Sequence, residues 1–256
     1  MHPILFELFG IKIYAYGLLI GLGIASGVGY ITHKANKELG IGTDLINNLA
    51  VYLVIAAVLG GKFLLFFENP DKYLNKPSLL VSGSGFVFYG SLLFCFGVLY
   101  WFIRKYKIAY KPFLDLIAIT TCIIHAFGRL GCFMAGCCYG KPLDHFPAVT
   151  YTNPLSSAPL HCGLHPTQLY ESGAIILVLT VLLLVKQKRA FQGQLFALYL
   201  LLYPIVRFVI EYFRGDVERG LLFNGNISHS QLISMAIFSV GIYTYVRWHN
   251  EQKASK

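Results

Sequence analysis

The stretch "AIILVLTVLLLV" at residues 174–185 decides the fold class. It carries no charge and lies within a mostly apolar segment, 168–186. A helix needs roughly 20 apolar residues to cross the hydrocarbon of a bilayer. The rest of the chain has the same character, since 56% of its residues are hydrophobic and only 13% are charged. Soluble domains are about one quarter charged. The sequence therefore predicts an all-α polytopic membrane protein.

Further apolar segments on both sides of this stretch predict about seven transmembrane helices. The longest connection, at about 136–167, is rich in Pro, Ser and His, and no connection is long enough for a separate soluble domain. We therefore expect a single integral membrane domain over residues 1–256, with an outer loop at about 136–167. Residues 1–12 lack the basic start and the cleavage site of a signal peptide, so we expect an interfacial arm before an uncleaved first helix. The predicted spans are 13–33, 46–67, 86–103, 113–135, 168–186, 194–213 and 228–247.

Basic residues orient the predicted bundle. The loops after spans one, three, five and seven hold 12 of the 21 Lys and Arg residues. The positive-inside rule places these loops in the cytoplasm, so the N-terminus is expected outside and the C-terminus inside. The net charge of +9 is explained by these loops and gives no argument for nucleic acid. The cytoplasmic set is Lys34, Lys37, Arg104, Lys105, Lys107, Lys111, Lys186, Lys188, Arg189, Arg247, Lys253 and Lys256, and the outer set is Lys12, Lys72, Lys76, Lys141, Arg214 and Arg219.

Charged residues inside the predicted spans gather in the half of the membrane near the outer leaflet. They are Lys62, Arg129, Glu171, Arg207 and Glu211. A charge at the bilayer centre costs roughly 2.5–3.5 kcal/mol on insertion scales, so such groups usually mark a function. Pairing within the set, as between Arg207 and Glu211 four residues apart, is the structural alternative. Three cations at one depth exceed what the carboxylates need, and they favour an anion site for a phospholipid phosphate, which the planar fork of arginine suits.

Six motifs, given at the end of this paragraph in chain order, resemble those of the prolipoprotein diacylglyceryl transferase family, and they extend over nearly the whole chain. The most specific is "HPTQLYES", and "YGLL" alone would be weak. The resemblance implies a bacterial inner-membrane enzyme with its active site toward the outer leaflet. It would transfer the diacylglyceryl group of phosphatidylglycerol to the lipobox cysteine of preprolipoproteins and release glycerol phosphate, without cofactor or metal. The expected partners are phosphatidylglycerol, preprolipoprotein signal peptides and membrane lipids. The motifs are "YGLL" (16–19), "GSGFVFYGSL" (83–92), "GRLGCFMAGCCYG" (128–140), "HPTQLYES" (165–172), "RFVIEYFRGD" (207–216) and "SQLIS" (230–234).

The resemblance also implies roles for single residues. Arg129 and Arg207 match arginines that bind the phosphate, and Tyr16 matches an essential tyrosine; with Tyr89 these form the expected catalytic set. Lys62 follows the Gly60-Gly61 pair, where the family usually has arginine. The expected phosphatidylglycerol-binding residues are Arg129, Arg207, Lys62, Glu211, Arg214, Gly140, His165, Gln168, Tyr170 and Glu171.

The sequence departs from the family pattern at several positions. Cys132 and Ala135 replace two asparagines, and Cys137 replaces a glutamate. Tyr89 stands in the third span where the family typically has a histidine, the usual candidate for general base, and an unperturbed tyrosine with a pKa near 10 is a poor base at pH 7. Histidines 125, 161 and 165 are alternative bases. A divergent relative with the same donor and another acceptor is therefore a second hypothesis.

Four of the six cysteines lie at or beyond the outer end of the fourth span: Cys132, Cys137, Cys138 and Cys162. The compartment outside the inner membrane is oxidising, so one or two disulfides that staple the outer loop are predicted. A metal site with His145, His161 or His165, unpaired thiols and a redox pair remain alternatives, although the spacing matches no zinc motif. A membrane thiol oxidoreductase and a non-catalytic lipid-binding protein are the competing functions. Inside the spans, Cys95 and Cys122 are expected to be packing residues.

Overall fold

The computed structural model describes residues 3–8, 10–68, 70–76, 78, 87–216, 221–222 and 227–254. Residues 83–86 of the "GSGFVFYGSL" motif, Arg219, Lys256 and the side chain of Lys72 lie outside the described residues, as do the first two residues of the predicted arm.

The described chain is helical, with three short hairpins. An antiparallel hairpin of β1 (Ile4–Leu8) and β2 (Ile11–Tyr14) precedes the first helix, where the sequence predicts an arm. The outer-loop segment holds β3 (Val149–Thr150) and β4 (Gly163–Leu164), and β5 (Leu221–Leu222) pairs with β6 (Ile227–Ser228). The helices are α1 (Ala15–Leu39), α2 (Thr43–Glu68), α3 (Pro70–Asn75), α4 (Phe88–Lys105), α5 (Tyr110–Ala135), α6 (Thr167–Gln187), α7 (Gln194–Ile210) with a 3₁₀ turn at Glu211–Phe213, and α8 (His229–Ala254).

Five helices within the described ranges are long and apolar enough to cross a membrane: α1, α2, α5, α6, and α7 with its 3₁₀ turn. The prediction of a helical polytopic membrane protein is confirmed at this level. The predicted spans 86–103 and 228–247 are also helical, as α4 and α8, but they are not among these five helices. Helix α4 has 18 residues and ends in Arg104 and Lys105, and α8 begins with a polar turn. The number seven therefore stays a prediction.

The backbone divides into two compact units, residues 1–31 with 111–256, and residues 32–110. Each unit contains at least one of the five apolar helices, so this division does not separate off a soluble domain. The single membrane domain remains a prediction.

In the first unit, helices α5, α6 and α7 share a core of buried apolar side chains that includes Ile119, Cys122, Leu182 and Leu195. The opposite face of α6 is also apolar, with Leu177 at 66% exposure, and such a face is suited to lipid. At one end of this core the buried carboxylate of Asp115 accepts hydrogen bonds from the amides of Gly193 (2.9 Å) and Phe196 (3.0 Å). A carboxylate at this position caps the first turn of α7 and fixes where the helix begins.

In the second unit, α2 and α4 cross without intervening side chains. A Cβ atom built on Gly60 would lie 2.3 Å from the carbonyl oxygen of Gly90, and one on Gly90 would lie 2.1 Å from the oxygen of Gly60. Next to this crossing, the Ser91 hydroxyl donates to the carbonyl of Ala57 at 2.6 Å. The glycine in "YGS" therefore permits backbone-to-backbone packing.

Candidate functional site

A buried carboxylate, Glu171, is the centre of a polar cluster in the first unit. Its side chain is 2% exposed, and Oε1 lies 3.1 Å from Arg129 Nη2 and 3.6 Å from His125 Nε2. The Tyr203 hydroxyl donates to the same oxygen at 3.2 Å. One carboxylate oxygen thus faces three polar side chains from helices α5 and α7.

Helical spacing brings this cluster together. His125 and Arg129 are four residues apart on α5, and Arg129 Nε donates to His125 Nε2 at 3.3 Å. Glu171 stands at the start of α6, directly after the Pro166–Gln168 corner, and faces α5. A buried arginine without a counter-ion would be very costly, so the pair with Glu171 explains how Arg129 is tolerated at this depth.

Arg207 forms a second polar centre on α7. Its Nη2 atom lies 2.7 Å from Glu211 Oε2 and donates to Ser230 Oγ at 2.9 Å. The pairing of Arg207 with Glu211 is the structural alternative that the sequence raised. Arg207 Nη1, however, is buried and has no hydrogen-bond partner among the described residues. A buried donor in this state is rare in folded proteins, and it could donate to a ligand acceptor.

The position of Ser230 follows from a capping box at the start of α8. The Ser228 amide donates to Gln231 Oε1 at 3.0 Å, and the Gln231 amide donates to Ser228 Oγ at 3.2 Å. This reciprocal pair fixes the first turn of the helix. Ser230 then lies between the two capping residues with its hydroxyl next to Arg207.

Three motifs meet through their backbones beside the loop that follows α5. The amide of Gly140 donates to the carbonyl of His165 (3.0 Å), and the amide of Lys141 donates to that of Phe213 (2.8 Å). The amide of Gly215 donates to the carbonyl of Tyr139 at 3.0 Å. A Cβ atom on Gly140 would lie 2.4 Å from His165 Cβ and 2.8 Å from the Phe213 oxygen. Only glycine fits where the three segments cross.

Residues near this crossing hold each other in place. His165 Nδ1 lies 3.3 Å from the Tyr170 hydroxyl, and both rings contact the ring of Phe213 edge-on. Arg214 is buried and makes a bidentate pair with Asp216. Burial alone would lower the pKa of Arg214, but the hydrogen bonds to Asp216 outweigh it and raise the pKa, so the guanidinium stays charged.

Gln168, which is predicted to bind substrate, ties the loop to α6. It is 1% exposed, and its Nε2 donates to the carbonyl of Cys137 at 2.7 Å. Thr167 Oγ1 does the same to the carbonyl of Cys138 at 2.7 Å. Through these two bonds, side chains in the first turn of α6 hold the backbone that follows α5 in place. Their contribution to the site is structural.

Tyr16 lies in the first turn of α1, beside the start of the "GRLGCFMAGCCYG" motif, which we call the signature. A Cβ atom on Gly131 would lie 3.2 Å from Tyr16 Cδ2, so the glycine allows the tyrosine to approach α5. Tyr16 is 43% exposed and lies within electrostatic reach of Arg129 and Cys132. The structure therefore brings the predicted Tyr16 to the neighbourhood of Arg129.

Two predicted residues belong to the second unit. Lys62 lies on α2 two residues after the glycine crossing, and Tyr89 lies in the first turn of α4, where it is 45% exposed. Their predicted contributions to binding and catalysis stay predictions.

The cysteines of the signature converge. The sulfur atoms of Cys132, Cys137 and Cys138 all lie within 4.8 Å of one another, and all six cysteines of the chain are free thiols. Cys162 lies in the loop and its thiol donates to the carbonyl of Pro159 at 3.7 Å. Cys122 is part of the apolar core, as predicted.

Sequence reasoning gave no individual function to Tyr203 or Asp216. Tyr203 stands in an apolar helix without a recognisable motif, and only its spacing of four residues before Arg207 could have drawn attention to it. Asp216 closes the "RFVIEYFRGD" motif, and the motif alone does not indicate its pairing with Arg214. Ser230 opens "SQLIS", and that motif alone does not indicate its contact with Arg207.

The fold and the site define a polytopic helical membrane protein with paired arginines and carboxylates inside its apolar helices. A family model described as prolipoprotein diacylglyceryl transferase matches residues 3–247. A protein of Clostridium tetani (strain Massachusetts / E88), named phosphatidylglycerol–prolipoprotein diacylglyceryl transferase, is 38% identical over 246 residues, covering 96% of this chain and 97% of that protein. The second such transferase of Clostridium perfringens (strain 13 / Type A) is 34% identical over 248 residues, with 96% and 94% covered. The chain belongs to the prolipoprotein diacylglyceryl transferase family, and the resemblance read from the motifs is confirmed.

Proposed function

We propose that this transferase moves the diacylglyceryl group of phosphatidylglycerol to the thiol of a lipobox cysteine in a prolipoprotein. The names of the relatives from Clostridium tetani and Clostridium perfringens give this donor and this acceptor. The observation that carries the proposal for the site is Arg207 Nη1, a buried guanidinium nitrogen without a hydrogen-bond partner among the described residues. A phosphate oxygen would satisfy this donor with a charge-assisted hydrogen bond.

Arg129 and Arg207 act on one phosphate in this proposal. Tyr203 lies within electrostatic reach of both guanidinium groups and is hydrogen-bonded to Glu171, which holds Arg129. In the transfer, the acceptor sulfur forms a bond to the glyceryl carbon, and the bond from that carbon to the phosphate oxygen breaks. The electron pair leaves with glycerol phosphate, whose growing charge the two arginines offset.

The proton of the acceptor thiol needs a base, because the thiolate is the nucleophile. His125 is the histidine nearest to Arg129, and its Nε2 already accepts from the Arg129 guanidinium. His165 belongs to the backbone crossing at Gly140 and contacts Tyr170. Tyr16 and Tyr89 are the remaining proposed catalytic side chains. Separate substitutions at these four positions, each assayed for glycerol phosphate release and for peptide mass, would identify the base.

The enzyme is proposed to lie in the bacterial inner membrane with seven spans, its N-terminus outside and its site toward the outer leaflet. The acceptor supports this placement, because its signal peptide is expected to present the lipobox cysteine at the outer leaflet. The remaining proposed phosphatidylglycerol contacts are Lys62, Gly140, His165, Gln168, Tyr170, Glu171, Glu211 and Arg214. For Gly140 and Gln168 the structural contacts described above support an indirect contribution through the shape of the site.

The decisive experiment uses purified protein in detergent, labelled phosphatidylglycerol and a lipobox peptide. We expect release of glycerol phosphate together with a diacylglyceryl increase in the peptide's mass, both lost with a Cys→Ser peptide. Arg129→Ala and Arg207→Ala are expected to lower turnover by at least 100-fold, roughly the 2.7 kcal/mol or more of one oxyanion donor. Arg247→Ala is the matched control. Arg247 is exposed, its Nε lies 2.9 Å from Glu251 Oε1, and this pair is remote from the site.

The outcomes separate the hypotheses. Full activity in a folded Arg129 or Arg207 variant would contradict the phosphate assignment. Release of glycerol phosphate without modification of the peptide would point to another acceptor. Binding of the lipid without release would point to a non-catalytic relative.

A further inference from the structure

The three cysteines at the end of α5 form a cluster that the transfer reaction does not use. Their sulfur atoms lie within 4.8 Å of one another, and the cluster is half-buried. In a tetrahedral zinc site with bonds of about 2.3 Å, neighbouring sulfurs are separated by about 3.8 Å. Small rotations of the side chains are therefore enough to bring the three sulfurs to one metal ion.

We propose that Cys132, Cys137 and Cys138 bind one soft divalent cation, with Zn²⁺ as the first candidate, through three thiolates. The fourth coordination position is left for water or an external ligand. Binding would release the thiol protons to solvent, since the thiolate is the ligand form. This proposal goes beyond the proposed function and does not depend on it.

The backbone after α5 is shaped to bring the sulfurs together. Gly136 has φ +76° and Cys138 has φ +59°, so the chain turns back on itself directly after the helix. A left-handed conformation is uncommon for a residue other than glycine. The buried Gln168 and Thr167 hold the carbonyls of Cys137 and Cys138 at 2.7 Å each. Both cysteines are thereby fixed by α6, and their sulfurs converge on that of Cys132.

The charges around the cluster suit a metal thiolate. Three thiolates around a divalent ion carry a net charge of −1. Arg214 and Arg129 lie within electrostatic reach of Cys138, and their guanidinium groups would offset this charge.

A disulfide explains the cluster less well. It would join two of the sulfurs and leave the third without a function, whereas the structure brings all three together. Among the described residues, the cluster includes no histidine, so the sulfur atoms alone define the preference for a soft ion. Cys162 lies outside the cluster although it is in the same loop.

The test is the metal content of the full-length protein, purified in detergent through a tag that binds no metal. We expect close to one equivalent of zinc, falling at least fivefold in Cys132→Ser and in Cys138→Ser. Cys162→Ser is the matched control and is expected to keep the metal. No zinc in the wild-type protein combined with no cobalt binding would overturn the proposal.

Cobalt gives a second readout that needs no variant and no turnover. Adding Co²⁺ to chelator-treated, reduced wild-type protein should produce the intense thiolate-to-cobalt absorption of a site with several sulfur ligands. Alkylation of freshly isolated, denatured protein without reductant should label all six thiols once zinc is chelated. A disulfide between two of the three clustered cysteines in that sample would also overturn the proposal. Transfer activity does not enter either readout, so failure of the proposed function would be seen separately.

Discussion

Tyr203 supplies a hydroxyl to Glu171 from the middle of an apolar helix. Its ring contacts His125 edge-on at 5.1 Å and stacks on Tyr199 at 5.6 Å. The hydroxyl is the only part of Tyr203 that donates to the carboxylate, at 3.2 Å. It therefore positions Glu171, and through it Arg129, without being required for packing.

Replacing Tyr203 with Phe should reduce turnover by about tenfold, equivalent to roughly 1.4 kcal/mol in the activation barrier, because Glu171 loses one of its hydrogen bonds. The fold should persist, since the ring is retained. Turnover and the thermal midpoint in detergent check this. Tyr199→Phe is the matched control on the stacked ring and should keep nearly full activity; an equal loss in both variants would contradict a positioning contribution of Tyr203.

Cys138 should titrate below an ordinary cysteine in metal-free, reduced protein. Hydrogen bonds from the thiols of Cys132 and Cys137, and then the charge of Arg214, lower its pKa. Its thiolate should therefore be present, and should react with iodoacetamide, below the usual cysteine pKa of about 8.5. Peptide mapping after short alkylation at several pH values measures the midpoint. A midpoint for Cys138 at or above the ordinary value would refute this.

At the scale of residues, the sequence predicted which charges matter but not how they pair. Arg129, Arg207, Glu171 and Glu211 stand out because a charge in an apolar segment is expensive. Arg129 pairs with Glu171 of another helix, not with a carboxylate on its own helix. This pairing depends on which faces of α5 and α6 meet. No local pattern carries that information. The i,i+4 pair of Arg207 with Glu211 was accessible, because both partners lie on one helix.

At the scale of elements, the loop after α5 matters because three motifs cross at Gly140. The end of the signature, the start of α6 and the exit of α7 exchange backbone hydrogen bonds there. The sequence places these motifs about 25 and 75 residues apart, so their contact could be expected only from the family resemblance. The crossing gives the physical reason for glycine at position 140, because a side chain there would collide with the two neighbouring segments.

Gly140→Ala should destabilise the site strongly. The new Cβ atom would lie 2.4 Å from His165 Cβ and 2.8 Å from the Phe213 backbone oxygen. Neither atom is the flexible end of a side chain, so neither can move aside easily. We expect a loss of roughly 2–3 kcal/mol from overpacking, seen as a lower thermal midpoint together with lost turnover. An unchanged midpoint would show that the crossing opens more easily than these distances imply.

Gly128 in the same signature provides the contrast. A Cβ atom there meets nothing within 4 Å, and alanine is a better helix former by up to about 1 kcal/mol. Gly128→Ala should therefore keep or slightly raise the thermal midpoint. If turnover nevertheless falls while stability holds, the open space beside Gly128 is used by a substrate. Unchanged turnover would assign no contact with substrate to this glycine.

At the scale of the whole molecule, composition was enough for the fold class, and the motifs were enough for the family. The lengths of α1, α2, α5, α6 and α7 follow from apolar runs whose ends are marked by charge, Gly or Pro. The weaker segments α4 and α8 are less clear because basic or polar residues occupy one end. Hydropathy separates a span from a surface helix only when the apolar run exceeds the bilayer thickness, and these two lie near that limit.

The orientation of the bundle is the prediction that tests this whole-molecule interpretation. The uneven distribution of Lys and Arg predicts that the two ends lie on opposite sides of the membrane. Ends on opposite sides require an odd number of spans. A single reporter cysteine for membrane-impermeant labelling, placed in a background with the six native cysteines replaced, distinguishes the sides. A cysteine in place of Lys107, after α4, or of Lys188, after α6, should be protected in intact cells. One in place of Lys76 or Asp144 should be labelled. If the Lys76 and Lys107 positions are both labelled or both protected, α4 does not cross, and the count of seven is wrong. If all four positions reverse, the charge rule has been overridden, and the arginines of α5 and α7 would face the cytoplasmic leaflet, where no lipobox cysteine is expected to wait.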